Sequence, residues 1–252
     1  MKQHQDHQAV NCAECQNGAG LGFEFTMAFQ PIVNTTSKEI FAQEALVRGM
    51  NEEPACEILG RINDQNRYRF DQACRVKAVQ LAAKIGIKSF ISINFLPNAV
   101  YSPELCIRTT IEAAETFGFP IDRIIFEITE GEKIEDHAHL RRIIQYYRQT
   151  GFLTAIDDFG AGYSGLNLLA DFQTDLVKLD LGLIRHIDQN KGRQAIVKGI
   201  VQVCNELEIR VIAEGVETYE ELAVLQSFGI ELFQGFYFAK PKFQNLATVN
   251  NL

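Results

Sequence analysis

From Phe23 onward the chain repeats one pattern. A short run of apolar and β-branched residues gives way to a longer segment with the 3.6-residue period of an amphipathic helix. The runs are Thr26–Val33, Glu39–Val47, Ser89–Asn94, Arg123–Ile128, Phe152–Asp157, Leu176–Leu179, Arg210–Ala213 and Glu231–Phe233. Between most of them lie Asp71–Lys84, Pro103–Phe117, His137–Thr150, Arg193–Leu207 and Tyr219–Phe228. Strand–helix alternation forces a parallel sheet, because a strand lies parallel to its predecessor only after a crossover connection. Eight such strands in one domain, residues 23–252, point to an α/β fold, a single TIM-like (β/α) barrel rather than an open sheet. The first pair departs from the ideal. Only Asn34-Thr35-Thr36-Ser37-Lys38 separates those two strands, too short for a crossover helix, so they are expected to be antiparallel.

Composition narrows the function classes. A chain of 252 residues can bury one large core. Its net charge of −8 argues against a nucleic-acid polymer as partner. The same charge would repel an anionic substrate unless bound metal reverses the local field. No apolar run is long enough to cross a bilayer and the amino terminus does not read as a signal peptide, so a cytoplasmic protein with no membrane partner is expected. The six cysteines are expected to be free thiols in a reducing compartment. Residues 1–22 are polar, rich in His, Gln and Gly, and are expected to form a flexible amino-terminal segment. His4, His7, Cys12 and Cys15 there have zinc-like spacing. Ordering so short a segment costs about 1–2 kcal/mol per residue, so the expectation is no stoichiometric zinc and a dispensable tail.

The chemistry gathers at strand ends. Ala155-Ile156-Asp157-Asp158-Phe159-Gly160 closes an apolar run with two adjacent carboxylates and opens a glycine-rich turn. Buried charges of one sign need a counter-charge, and divalent metal is the usual one. Gly160, Gly162 and Gly165 also match a dinucleotide-binding glycine pattern, but two acids would then face the pyrophosphate. Asp158-Phe159-Gly160 spells a kinase metal motif with no other kinase signature around it. A capping role for the Asp pair is the plain structural alternative. Other strands end alike. Glu44, Leu46 and Arg48 share one face of the second strand, where a barrel interior ordinarily carries branched apolar side chains. Asn94, Glu127 with Glu130, Lys178 with Asp180, Glu214 with Glu217, and Gln234 close the remaining strands. Barrel enzymes keep their chemistry at these carboxyl ends. Hard oxygen ligands without imidazole or thiolate select Mg²⁺ or Mn²⁺, and the number of acids suits two ions about 3.5–4 Å apart. Such a pair serves phosphate-ester hydrolysis.

Glu44-Ala45-Leu46-Val47-Arg48, preceded by Phe29-Gln30-Pro31-Ile32, resembles the signature of the EAL-domain family of cyclic di-GMP phosphodiesterases. The resemblance continues through Asn94, Phe126-Glu127-Ile128-Thr129-Glu130, Asp157-Asp158-Phe159-Gly160, Val177-Lys178-Leu179-Asp180, Ala213-Glu214-Gly215-Val216-Glu217 and Gln234-Gly235-Phe236-Tyr237-Phe238. It implies hydrolysis of cyclic di-GMP to 5′-pGpG with two Mg²⁺ or Mn²⁺ ions, in a homodimer; Ca²⁺, with its larger and looser shell, is expected to be inhibitory. Glu44, Asn94, Glu127 and Asp157 are then ligands of one ion, and Asp157, Asp158 and Glu214 of the second. Glu214 has a ligand role and a base role both open. Lys178 contacts the attacking water. Glu217 and Gln234 hold metal-bound water and the substrate side of the site. Gln30, Leu46, Arg48 and Asp180 contact substrate, and Glu130 braces the loop after Asp158. Ala161 and Gly165 depart from residues common in that loop, a departure that bears on regulation and on the dimer contact. Members without catalysis usually lack one of the metal acids, and none is missing here. A catalytically silent receptor or protein-binding module of the same fold is the other reading.

Overall fold

Strand β1 (Thr26–Asn34) runs antiparallel to β2 (Glu39–Arg48), with Gln30 opposite Glu44 and Thr26 opposite Arg48. From β2 the sheet continues in parallel through β3 (Phe90–Phe95), β4 (Ile124–Thr129), β5 (Leu153–Phe159), β6 (Leu176–Leu179), β7 (Arg210–Ala213) and β8 (Leu232–Phe233). Strand β8 pairs antiparallel with β1 and closes an eight-stranded barrel. A short β9 (Lys242–Phe243) adds to β1. This computed structural model describes residues 20–100, 102–129, 136–162 and 165–252. The expected barrel and its antiparallel first pair are both present.

Crossover helices cover the outside. The longest, Arg67–Ile85, begins four residues before the stretch the periodicity marks and is buried on most of its length. The expected helix over 103–117 is interrupted at Ile107, giving Pro103–Cys106 and Arg108–Phe117. Helices His137–Thr150, Lys191–Glu206 and Tyr219–Ser227 follow the expected periodicity. Short helices at Ala55–Leu59, Gly165–Asp171 and Leu181–Ile184 carry too few turns to show a period in sequence. No helix among the described residues is long and apolar enough to cross a membrane. Cys56 is exposed, Cys74, Cys106 and Cys204 are buried, and all four are free.

The barrel interior is layered, and the layering makes the site. Ile32, Ala42, Ile125, Ala155, Leu176, Ile212 and Leu232 form a closed apolar plug, separate from the large core between sheet and helices. Side chains two residues apart in a strand share a face. One step of two toward the carboxyl end therefore turns Ala42 into Glu44, Ile125 into Glu127, Ala155 into Asp157, Leu176 into Lys178, Ile212 into Glu214 and Leu232 into Gln234. Strand β1 obeys the same rule in reverse. It runs the other way, so Gln30 precedes Ile32. One ring of the barrel is oil and the next is charge.

Candidate active site

Five strands deliver the charged ring to one point. Lys178 Nζ lies 2.7 Å from Glu214 Oε1, 2.9 Å from Glu127 Oε2, 3.0 Å from Asp157 Oδ1 and 3.6 Å from Glu44 Oε2. Glu44 is fixed from two sides: Asn94 Nδ2 donates to Oε1 at 3.3 Å and Gln234 Nε2 to Oε2 at 2.7 Å. The Ser92 hydroxyl donates to Glu127, whose carboxylate is fully buried. The β3–β4 register sets Asn94 directly beside Glu127.

Neighbouring residues of a regular strand face opposite ways, so Asp157 and Asp158 should not share a site. The structure resolves this with a bulge. Between the Ile156–Val177 and Phe159–Leu179 pairs, β5 spends three steps where β6 spends two. Asp158 absorbs the extra residue in the left-handed region, at φ +53°. Both carboxylates then turn toward the barrel axis. Carboxylate oxygens of Glu44, Glu127 and Asp157 come within 4.8 Å of one another, and so do those of Asp157, Asp158 and Glu214. Asp157 belongs to both triads.

The electrostatics follow from crowding. Burial pushes the Glu127 carboxyl up to about 8, against the pull of Lys178, with Glu44 and Asp157 adding to the rise. Burial likewise raises Glu214, and burial with the charges of Asp157 and Asp180 lifts Asp158 to about 6. Burial alone would lower Lys178, but Asp157, Glu127, Glu214 and Glu44 override it and hold the ammonium well above its usual range. A single cation faces a surplus of carboxylates. All-oxygen donor sets of this kind, short of positive charge, suit hard divalent cations.

A profile described as EAL domain matches residues 16–241. The chain belongs to the EAL domain family. The EAL protein of Vibrio cholerae O395, solved in a form with c-di-GMP bound and described as standalone and versatile, is 59% identical with a TM-score of 0.89 over 91% of this chain and 97% of that one. BlrP1 of Klebsiella pneumoniae, solved at pH 6 with manganese and cyclic di-GMP, is 38% identical with a TM-score of 0.84 over 90% of this chain and 58% of that one. Among curated relatives, the cyclic di-GMP phosphodiesterase PdeR of Escherichia coli K12 is 44% identical over 86% of this chain and 34% of its own length. The E. coli antirepressor BluF, blue light- and temperature-regulated, is 35% identical over 88% of this chain and 55% of its own. The chain thus spans about half, or less, of these curated relatives.

The EAL site opens into a cavity of about 330 Å³ bordered by Gln30, Glu44, Asp157, Asp158, Lys178, Glu214, Glu217 and Gln234. Glu127 sits beneath its floor and Asn94 behind Glu44. Three expected substrate contacts do not border it. Leu46 and Arg48 stand further along β2, where Arg48 Nη1 donates to the Val47 carbonyl at 2.7 Å. Asp180 caps the helix Leu181–Ile184, accepting from Gly182 N at 2.8 Å. Gln30 borders the cavity and donates from Nε2 to the Ala239 carbonyl at 3.1 Å. Glu130, and the tail residues His4, His7, Cys12 and Cys15, lie outside the described residues. Gly215, Gly235 and Phe236, from the motif segments, complete the lining with Leu181, which did not stand out in sequence because it lies two residues past the end of β6. Two other hollows, of about 280 and 500 Å³, open at the amino-terminal ends of strands, the face a barrel uses for stability.

Proposed function

We propose that this EAL domain is a metal-dependent phosphodiesterase that opens cyclic di-GMP to linear 5′-pGpG. The observation that carries the reading is the pair of carboxylate triads sharing Asp157, with Lys178 fixed between them. Glu44, Glu127, Asp157 and the amide of Asn94 would hold one Mg²⁺ or Mn²⁺, and Asp157, Asp158 and Glu214 the other. Bound there, the ions supply Lewis-acid polarisation of a phosphoryl oxygen and an acidified water.

The chain's own groups do the rest. Water adds to phosphorus, the bond to the 3′ oxygen breaks, and that oxygen leaves with a proton. Without metal, the carboxylates around Lys178 stabilise its charged form. As an ammonium between the two triads it would orient the nucleophile as a fixed positive charge. Glu217, at the cavity rim, is placed to accept a hydrogen bond from the incoming water. Gln234 locks Glu44 from the side opposite Asn94 and excludes rotation of that carboxylate. Ca²⁺ would occupy the site with little turnover, because its larger, looser shell misplaces the reacting atoms. A homodimer in the cytoplasm is part of the same reading, with the segment after Gly160 near the partner.

Chromatography of cyclic di-GMP after incubation with the purified protein is the test. Conversion to 5′-pGpG with Mg²⁺ or Mn²⁺, stopped by a chelator, is the expected result. Intact substrate at high concentration of folded, metal-loaded protein overturns it. The likeness to the antirepressor BluF favours the other reading, a catalytically silent receptor or protein-binding module, which predicts no product from folded protein. The full acid set and Lys178 stand against that reading.

A further inference from the structure

Glu221 lies on the helix Tyr219–Ser227, outside the barrel and outside the cavity lining, yet it is buried to 3% exposure. A buried carboxylate with no cation on it needs N–H donors. It finds three in the backbone, on two different loops. Its Oε1 accepts from His186 N at 2.8 Å. Its Oε2 accepts from Glu217 N at 2.9 Å and Thr218 N at 3.2 Å. The Thr218 bond belongs to the helix's own capping box. The other two do not. They join the connection after β6, which reaches His186 through the helix Leu181–Ile184, to the loop after β7, which carries Glu214 to Glu217.

Both loops wall the cavity: Leu181 comes from the first, Gly215 and Glu217 from the second. They pass so close that a Cβ on Gly215, itself at φ +67°, would stand 2.2 Å from Leu181 Cδ1. His186 holds φ +56°, in the left-handed region that His tolerates better than most side chains but that is held the more firmly under a constraint. The hydrogen bond from its N–H to Glu221 is such a constraint. Nearer the surface Arg185 Nη2 meets Glu217 Oε1 at 2.7 Å across the same gap, but both groups are more than two-fifths exposed and water competes for them.

We propose that Glu221 is a positioning residue, a latch that sets the distance between the two loops and so the placement of Glu217 over the reacting phosphate. The functional half rests on the phosphodiesterase reading; the latch itself does not. Glu221→Gln keeps size and helix propensity but replaces one acceptor oxygen with an NH₂ that cannot face a backbone N–H, so one loop comes free. Thr218→Ala is the control. It weakens the same helix cap and leaves both loop contacts in place.

Two measurements decide the matter. Residue-level hydrogen exchange of the whole chain should show the His186 or Glu217 amide losing protection in Glu221→Gln and keeping it in Thr218→Ala. Turnover of cyclic di-GMP should fall on the order of 10–100-fold in kcat for Glu221→Gln, with KM little changed, since a misplacement of about 1 Å is enough for that. Thr218→Ala should keep the wild-type kcat while losing thermal stability. Unchanged protection at both amides overturns the latch. Lost protection with unchanged kcat overturns the positioning role. A wild-type protein with no turnover refutes the phosphodiesterase reading alone, and the exchange arm then still decides the latch.

Discussion

Among the described residues two cations are buried completely, and their surroundings differ in one respect. Arg75, on the helix Arg67–Ile85, meets a single carboxylate, Asp71, at 2.6 Å, and donates again to the Cys106 carbonyl at 3.0 Å. The other Asp71 oxygen accepts from Leu96 N at 2.9 Å. Charge is matched one for one and fixed polar groups take the remaining bonds, as a buried ion pair requires. Lys178 meets four carboxylates and cannot balance them. The first arrangement is finished by the fold. The second is finished only by further positive charge, whether protons or metal. Surplus charge, rather than burial or ion pairing, is what separates a site from a strut.

The comparison breaks first at Asp157. Because both triads share it, Asp157→Asn should cost on the order of 10⁴-fold in kcat, about 5 kcal/mol. Without metal the variant should melt no lower than wild type, since a repelling charge has gone. A calorimetric scan showing the variant severely destabilised would make the two cations alike. Next is Arg75. Arg75→Met strands Asp71 in the core and should cost about 3–5 kcal/mol of stability by urea unfolding, with the rate per folded molecule unchanged. An active-site role for Arg75 would appear as a rate loss in protein that is still fully folded.

Lys178→Ala sharpens the contrast. Mn²⁺ should still bind by titration calorimetry while the rate drops on the order of 10²–10³-fold. The metal-free variant should also melt lower than wild type and gain more from Mn²⁺, because the unbalanced charge has grown. Loss of Mn²⁺ binding would refute the role given to Lys178.

The smallest effect is on pH. The folded chain holds a proton on Glu127 up to about pH 8, whereas an ordinary glutamate releases it near 4.5. Between those values the folded state binds more protons than the unfolded one, so metal-free stability should fall as pH rises through that window and level off above it. Saturating Mn²⁺ should flatten or reverse the slope. A metal-free melting temperature that rises across this window would contradict the proton-holding site.

The two sites were unequally legible in the sequence. Strands β6 and β7 could be read to the residue, since their runs are bounded by acids and turn residues. The charged ring was visible because strand period is two and each polar residue replaces an apolar one at a strand end. The Arg75–Asp71 pair was not visible. It lies on a helix buried on most faces, where no polar stripe separates partner from solvent. The break of the helix over 103–117 at Ile107 is tertiary in the same way, with the Cys106 carbonyl turned to Arg75. The joint service of Asp157 and Asp158 needed the β5 bulge, and a bulge leaves no mark on apolar alternation. Thr218 and Glu221 do spell a capping box, so the sequence could have flagged Glu221 as a helix start, though not its reach to His186. Arg48 stood out as a charge beside Glu44, yet the register carries it past the cavity to the level of Thr26.

That register has an architectural consequence. In an all-parallel barrel the chain enters at the face opposite the chemistry. Here the reversal of β1 sets Thr26 level with Arg48, at the rim where strands release their catalytic residues. Phe23 and Phe25 settle just outside that rim on Phe70. Residues 20–25 therefore reach the barrel at this end, beside the helix Arg67–Ile85, whose Asp71 accepts from Leu96 N in the turn behind Asn94. A single inverted strand thus brings the chain into the barrel from the face that carries the chemistry.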